Sequence, residues 1–235
     1  MKSARNTVTK TLTTLTLLVS SLTNLAFADP EADKTVFQKY FTDNFPQVAF
    51  QDFANGVYAI DPVSRAQWEE IEQFPPYDSA IAEGERLYKQ AFANGKHYAD
   101  CLPNKGLALA QSYPKYDDSL GTVVTLPILI NQCRIANNEK PLAYQRGEIA
   151  SLLAYLSYSS RGKKINILIQ NEAAKAAYNK GKHFYYARRG QLNMACAHCH
   201  VDNAGKRLRA TIIGPALGQV SGFPAYRTKW GEMGT

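Results

Sequence analysis

Metal-binding and redox residues are scarce in this 235-residue sequence, which has four cysteines, four histidines and three methionines. A structural zinc site needs four ligands in closely spaced pairs. Cys101 and Cys133 lie far apart and His97 and His183 are isolated, so no second half-site exists. Strand signals are almost as rare, since Gly121 to Leu126 is the only β-branched run. That scarcity excludes the βαβ setting of a thioredoxin-like redox pair. After residue 28 no segment approaches the roughly 20 apolar residues of a membrane span. No cluster of basic and aromatic residues marks a nucleic-acid interface, and the 15 glycines and 11 prolines are dispersed, so nothing is of low complexity.

The N-terminal stretch has a different character. Residues 1–28 carry Lys2, Arg5 and Lys10 and no acid, then an apolar run from Leu12 to Val19 interleaved with threonine, then Ala26-Phe27-Ala28. A basic start, a short apolar core and a small-x-small site form a secretory signal peptide, which predicts export to the periplasm. The formal net charge of +7 falls to +4 over the remaining 207 residues. Such a mild excess suits small anions or an acidic partner.

Beyond a 29–75 extension, the apolar spacing is helical. Ser79–Asn94, Thr125–Asn137, Tyr144–Ser160 and Asn171–Ala187 are predicted helices, the last interrupted at Gly181. Two strings recur: Gly95-Lys96-His97-Tyr98 as Gly181-Lys182-His183-Phe184, and Tyr113-Pro114-Lys115-Tyr116 as Phe223-Pro224-Ala225-Tyr226, at offsets of 86 and 110. The reading is a mainly α protein with two modules in tandem, over 76–163 and 164–235, the second incomplete.

Against that background, Cys196-Ala197-His198-Cys199-His200 has one good explanation. Cys-x-x-Cys-His is the spacing of covalent haem c attachment: two thiols reach two vinyl groups of one porphyrin, and the next imidazole falls under the iron. Cys196 and Cys199 are the expected attachment points and His200 the proximal ligand. For the distal position, Met233 would make an electron-carrying cytochrome c, His97 and His183 suit surface or capping positions, and the His198 ring is expected to point away. Arg188, Arg189, Arg207 and Arg209 bracket the site and could neutralise propionates or draw in an anion, or simply be solvated. Tyr185, Tyr186, Phe223, Tyr226 and Trp230 are expected to pack around a haem or in the core.

The string RGQLNMACAHCHVDNAGKRLRATIIGPALGQVSGFPAYRTKWGEMG resembles the haem module of the SoxA family, the cytochrome c subunits of bacterial SoxAX complexes, and YPKYDDSLGTVVTLPILINQCRIANNEKPL resembles that family's first module. The resemblance spans about residues 75 to 235. It implies two cytochrome c-like modules and a periplasmic L-cysteine S-thiosulfotransferase that conjugates thiosulfate oxidatively to a cysteine of the SoxYZ carrier, passing electrons through haem to the SoxX cytochrome. The alternative from the residues themselves is a plain electron-transfer cytochrome c.

The chain departs from the family pattern at two places. Some members bind a second haem in the first module, whereas YADCLPNKG offers Cys101 alone, so one haem c is expected. The resemblance then implies a Cys101–Cys133 disulfide, suited to an oxidising compartment, with two unrelated buried thiols as the alternative. The family's distal ligand is a cysteine that can carry an extra sulfur. Transferring the 19-residue step from Pro114 to Cys133 onto Pro224 places that catalytic cysteine eight residues past Thr235, so it is expected outside the 235 residues.

Overall fold

The computed structural model describes residues 29–235; the signal-peptide stretch lies outside the described residues. Proline and a capping side chain start helix after helix. Asp29 caps α1 (Pro30–Asn44) through Glu31 N. A 3-10 turn, Phe50–Asn55, leads into the short α2 (Val57–Ile60), and Asp61 caps α3 (Pro62–Ile71), accepting from Ser64 N at 2.9 Å. A side-chain oxygen on an otherwise unpaired first-turn N–H, with Pro where no N–H is needed, fixes where each helix begins.

The next group surrounds one apolar core. It comprises α4 (Asp78–Lys89), the single turn α5 (Tyr98–Cys101), the strands β1 (Lys115–Asp117) and β2 (Thr122–Val124), α6 (Leu126–Ala136) and α7 (Glu148–Tyr158). α7 is apolar nearly all round, and Ile149, Ala150, Leu152, Leu153, Ala154 and Leu156 are all buried, as befits a central helix. α4 lies on it backbone to backbone: a Cβ at Gly84 would sit 2.0 Å from Ser151 O, so only glycine fits. Phe92, Tyr98, Leu102, Ile130, Cys133, Leu152 and Leu156 fill the space between α5, α6 and α7.

Next come α8 (Glu172–Tyr186), capped by Asn171 onto Ala174 N at 2.8 Å, the turn α9 (Cys196–His200), and the paired strands β3 (Arg207–Leu208) and β4 (Thr211–Ile212). The hairpin β5 (Ala225–Arg227) and β6 (Glu232–Gly234) follows. Its buried Met233 packs on Ala150 and Ala154 of α7, beside Tyr77, Ile81 and Tyr226, which ties this stretch to the preceding core.

The second of the two recurring strings keeps its structural place and the first does not. β1 pairs with β2 as Lys115↔Val124, Tyr116↔Val123 and Asp117↔Thr122; β5 pairs with β6 as Ala225↔Gly234, Tyr226↔Met233 and Arg227↔Glu232, the same register 110 residues on. By contrast, Gly95–Tyr98 forms the approach to α5, while residues 181–184 lie inside α8. The expected interruption at Gly181 is therefore absent: α8 runs through it, because a glycine in a solvent-facing helix costs only about 1 kcal/mol.

Candidate haem-attachment site

The site is built on the turn α9. The Ala195 N–H donates to His198 Nδ1 at 3.0 Å, and Asn203 Nδ2 donates to His198 O at 2.5 Å. His198 thereby closes the start of the turn and is turned back onto it. Cys196 is exposed and Cys199 half-buried, and both thiols are free. Their three-residue spacing places both on one helical turn.

His200, the last residue of α9, is held at two points by the loop that follows. Its Nδ1 lies 3.0 Å from Gly214 O, and Ala216 N donates to its carbonyl at 2.8 Å. A carbonyl can only accept, so Nδ1 carries the proton and donates, which leaves Nε2 with its lone pair for a metal. This is the arrangement by which protein carbonyls orient a ligating imidazole and raise its basicity.

Around the turn, Tyr185 is pushed up to about 12, first by burial, then by Tyr186 and the thiols of Cys196 and Cys199, so it stays a neutral phenol. Arg189 lies 3.4 Å over the Phe184 ring, its backbone bridges Met194 in both directions, and its Nη2 is buried with no acceptor. A buried guanidinium donor without a partner is the kind of group a haem propionate satisfies. The thiol pair, the oriented imidazole and this donor fit a covalently attached haem. No group of three or more His, Cys, Asp or Glu side chains gathers as for a bare metal ion among the described residues.

The other sequence-predicted residues are more dispersed. Arg188, Arg207 and Arg209 are exposed. Tyr186, Phe223 and Trp230 are partly exposed at the surface, Trp230 under the guanidiniums of Arg146 and Arg227. Met233 is buried against Ala150 and Ala154 of α7, on the strand β6 that pairs with β5. His183 is exposed on α8, and His97 caps α5, its N–H donating to Asp100 Oδ2 at 2.7 Å. Cys101 and Cys133 are joined as a disulfide, Cα atoms 5.6 Å apart, tying α5 to α6. Sequence reasoning missed Gly214, whose part is played by a backbone carbonyl and has no side-chain signature.

Comparison with known proteins places this geometry in context. The description "SoxA/TsdA, cytochrome c domain" matches residues 83–165. The chain is 50% identical over 210 residues to the L-cysteine S-thiosulfotransferase subunit SoxA of Allochromatium vinosum, covering 88% of this chain and 74% of that protein. It is also 50% identical over 205 residues to the SoxA subunit of Chlorobaculum tepidum, covering 87% and 71%. Among solved structures it resembles SoxXA from P. pantotrophus, with a TM-score of 0.64 at 29% identity over 75% of this chain and 67% of that one.

Proposed function

The chain belongs to the SoxA family, and from that premise we propose that it is the cytochrome subunit of a thiosulfate-oxidising L-cysteine S-thiosulfotransferase. In the reaction, the sulfane sulfur of thiosulfate bonds to the cysteine sulfur of the SoxYZ carrier, the thiol proton is released, and two electrons pass through this subunit to SoxX. The observation that carries the reading is α9, where two free thiols share a turn with an imidazole whose Nδ1 is engaged by Gly214 O.

Haem c, when bound, supplies a one-electron iron couple. The chain's own residues do the rest. Cys196 and Cys199 would hold the porphyrin edge as thioethers, and His200 would present Nε2 to the iron. Arg189 would place positive charge beside a propionate, while neutral Tyr185 would help keep water from the thioether side.

We further read the chain as two cytochrome c-like modules in tandem, 76–163 and 164–235, the first without haem, following a 29–75 extension. Three features support this: the two hairpins share a register 110 residues apart, the cytochrome c match covers 83–165, and α5 and α9 are each a short turn bearing cysteine. In the first module the Cys101–Cys133 disulfide takes the place of a second haem. The periplasm is the compartment that suits both the disulfide and haem attachment.

The test is stoichiometry coupled to turnover. Protein made with haem-maturation machinery is expected to carry one haem by intact mass and pyridine haemochrome, and, joined to the segment expected to hold the distal cysteine, to support thiosulfate-dependent reduction of SoxX when SoxYZ is present. Two haems, or a haem extractable by acidic organic solvent, would overturn the assignment.

A further inference from the structure

We propose that the N-terminal extension is a positioning element for the proximal ligand, with Val57 holding in place the Gly214 carbonyl that accepts from His200. This rests on the reading of His200 as the iron ligand. No residue of the extension lies within 100 positions of His200 in sequence, yet the extension contacts the polypeptide that follows it at point after point.

The contacts converge on residues 201–221. Gly214 sits between its own loop and the extension: a Cβ built on it would be 2.9 Å from Gln219 Oε1 and 3.6 Å from both Val57 Cβ and Val57 N. Gly218, at φ +80°, backs onto the Phe53 peptide so closely that a Cβ there would stand 1.7 Å from Phe53 O. Ser221 Oγ donates to Ala54 O, and Tyr40 OH approaches Val201 O at 3.4 Å. Gly205 lies under the Phe45 ring, 3.3 Å from the place of its missing Cβ. On the other flank, α1 grips α8, where Asp33 accepts from Tyr178 OH at 2.9 Å and from Lys182 Nζ at 2.6 Å.

The consequence is chemical as well as structural. A carbonyl held at hydrogen-bond distance from Nδ1–H makes the imidazole a stronger donor through Nε2, which favours the oxidised metal. If the support under Gly214 is cut back, the carbonyl can withdraw. The hydrogen bond then weakens and the reduction potential rises. Val57 acts through Gly214 and His200, and is a positioning residue.

The experiment uses the full-length, haem-loaded protein and reads two quantities: the midpoint potential, and the solvent-exchange rate of the His200 Nδ1 proton among the iron-shifted NMR signals. Val57→Gly, which removes the Cβ that faces Gly214, is expected to raise the potential and speed exchange severalfold, while Val57→Ile keeps both near the wild-type values. Asp33→Asn loosens the α1–α8 grip without touching Gly214, and is expected to lower the melting temperature and leave both quantities unchanged. If Val57→Gly does not accumulate as holoprotein, Gly218→Ala, whose Cβ would press on Phe53 O and push the extension off the loop, is expected to show the same direction of change.

A Val57→Gly or Gly218→Ala variant that matches wild type in both quantities would overturn the proposal. So would an Asp33→Asn variant that shifts them as much, since that would mark a general loosening. Absence of any iron-shifted His200 ring signal in wild type would instead overturn the ligand assignment, and the proposal with it.

Discussion

α5 and α9 are each a single helical turn bearing cysteine, and they anchor their surroundings by different chemistry. Cys101 on α5 reaches across to Cys133 on α6, amid Phe92, Tyr98, Ile130 and Leu152, and the module around it is filled by its own side chains. On α9 both thiols are free, and the stretch from 187 to 222 buries little beyond Ala195, Ala197 and Pro215 while Leu192 and Leu208 stay on the surface. A protein core can be closed by a covalent bond between its own atoms or completed by a foreign group, and the second choice leaves the polypeptide sparsely packed.

The sharpest way to break this contrast is to remove the thiols of α9. Cys196→Ser with Cys199→Ser is expected to abolish covalent haem while the core around α7 still unfolds cooperatively, as read by haem stain and calorimetry. Retention of covalent haem would end the comparison. A smaller effect follows on the other side. Cys101→Ser with Cys133→Ser, changed together so that no buried thiol is left alone, is expected to cost about 3 to 4 kcal/mol on the chain-entropy account of a loop of this length. Denaturant titration reads the loss, and the haem count should stay at one.

The smallest effect sharpens the contrast by acting outside both turns. The hydrogen bond from Lys182, opposed by burial and assisted by Tyr178, holds the Asp33 carboxyl below the usual carboxylate range. A depressed folded value means that its stabilisation is present above the unfolded value of about 4 and is lost as pH falls through the folded one. Because the pair is partly exposed, its worth is below about 1 kcal/mol. Wild type is expected to melt above Asp33→Asn at neutral pH, with the gap closing in acid; a gap of constant size would show that the ion pair contributes nothing.

Much of the helical frame is legible in the sequence because its faces are periodic. Leu126–Ala136, Glu148–Tyr158 and Glu172–Tyr186 fall within the segments that apolar spacing marks out, and Asp78–Lys89 overlaps the first of them, starting one residue before Ser79 and stopping five short of Asn94. The turn bearing Cys196, Cys199 and His200 is legible because its three chemistry-bearing side chains fall within five consecutive residues. The extension is not. α1 buries only Phe41, and its remaining contacts go to Tyr178, Lys182 and Val201, well over a hundred residues away. Of the hairpin strands only Thr122–Val124 lies in a β-branched run, Gly121–Leu126; the others are too short and mixed for alternation to register. Gly95–Tyr98 and its echo at 181–184 show the opposite error, a similarity of letters that the backbone does not share.

The seating of the β5–β6 hairpin on α7 bears on how the protein matures. Met233 lodges against Ala150 and Ala154, and Thr235 N donates to Gln145 O at 3.0 Å, while α8 is gripped by α1 at the other end. The stretch carrying the two thiols is therefore a tether fixed at both ends by contacts between polypeptide segments alone. Pinning the ends confines the span between them, while the three-residue spacing on α9 sets Cys196 and Cys199 side by side. On the haem reading proposed above, an attachment enzyme would meet a pair already presented side by side, and ligation could follow folding.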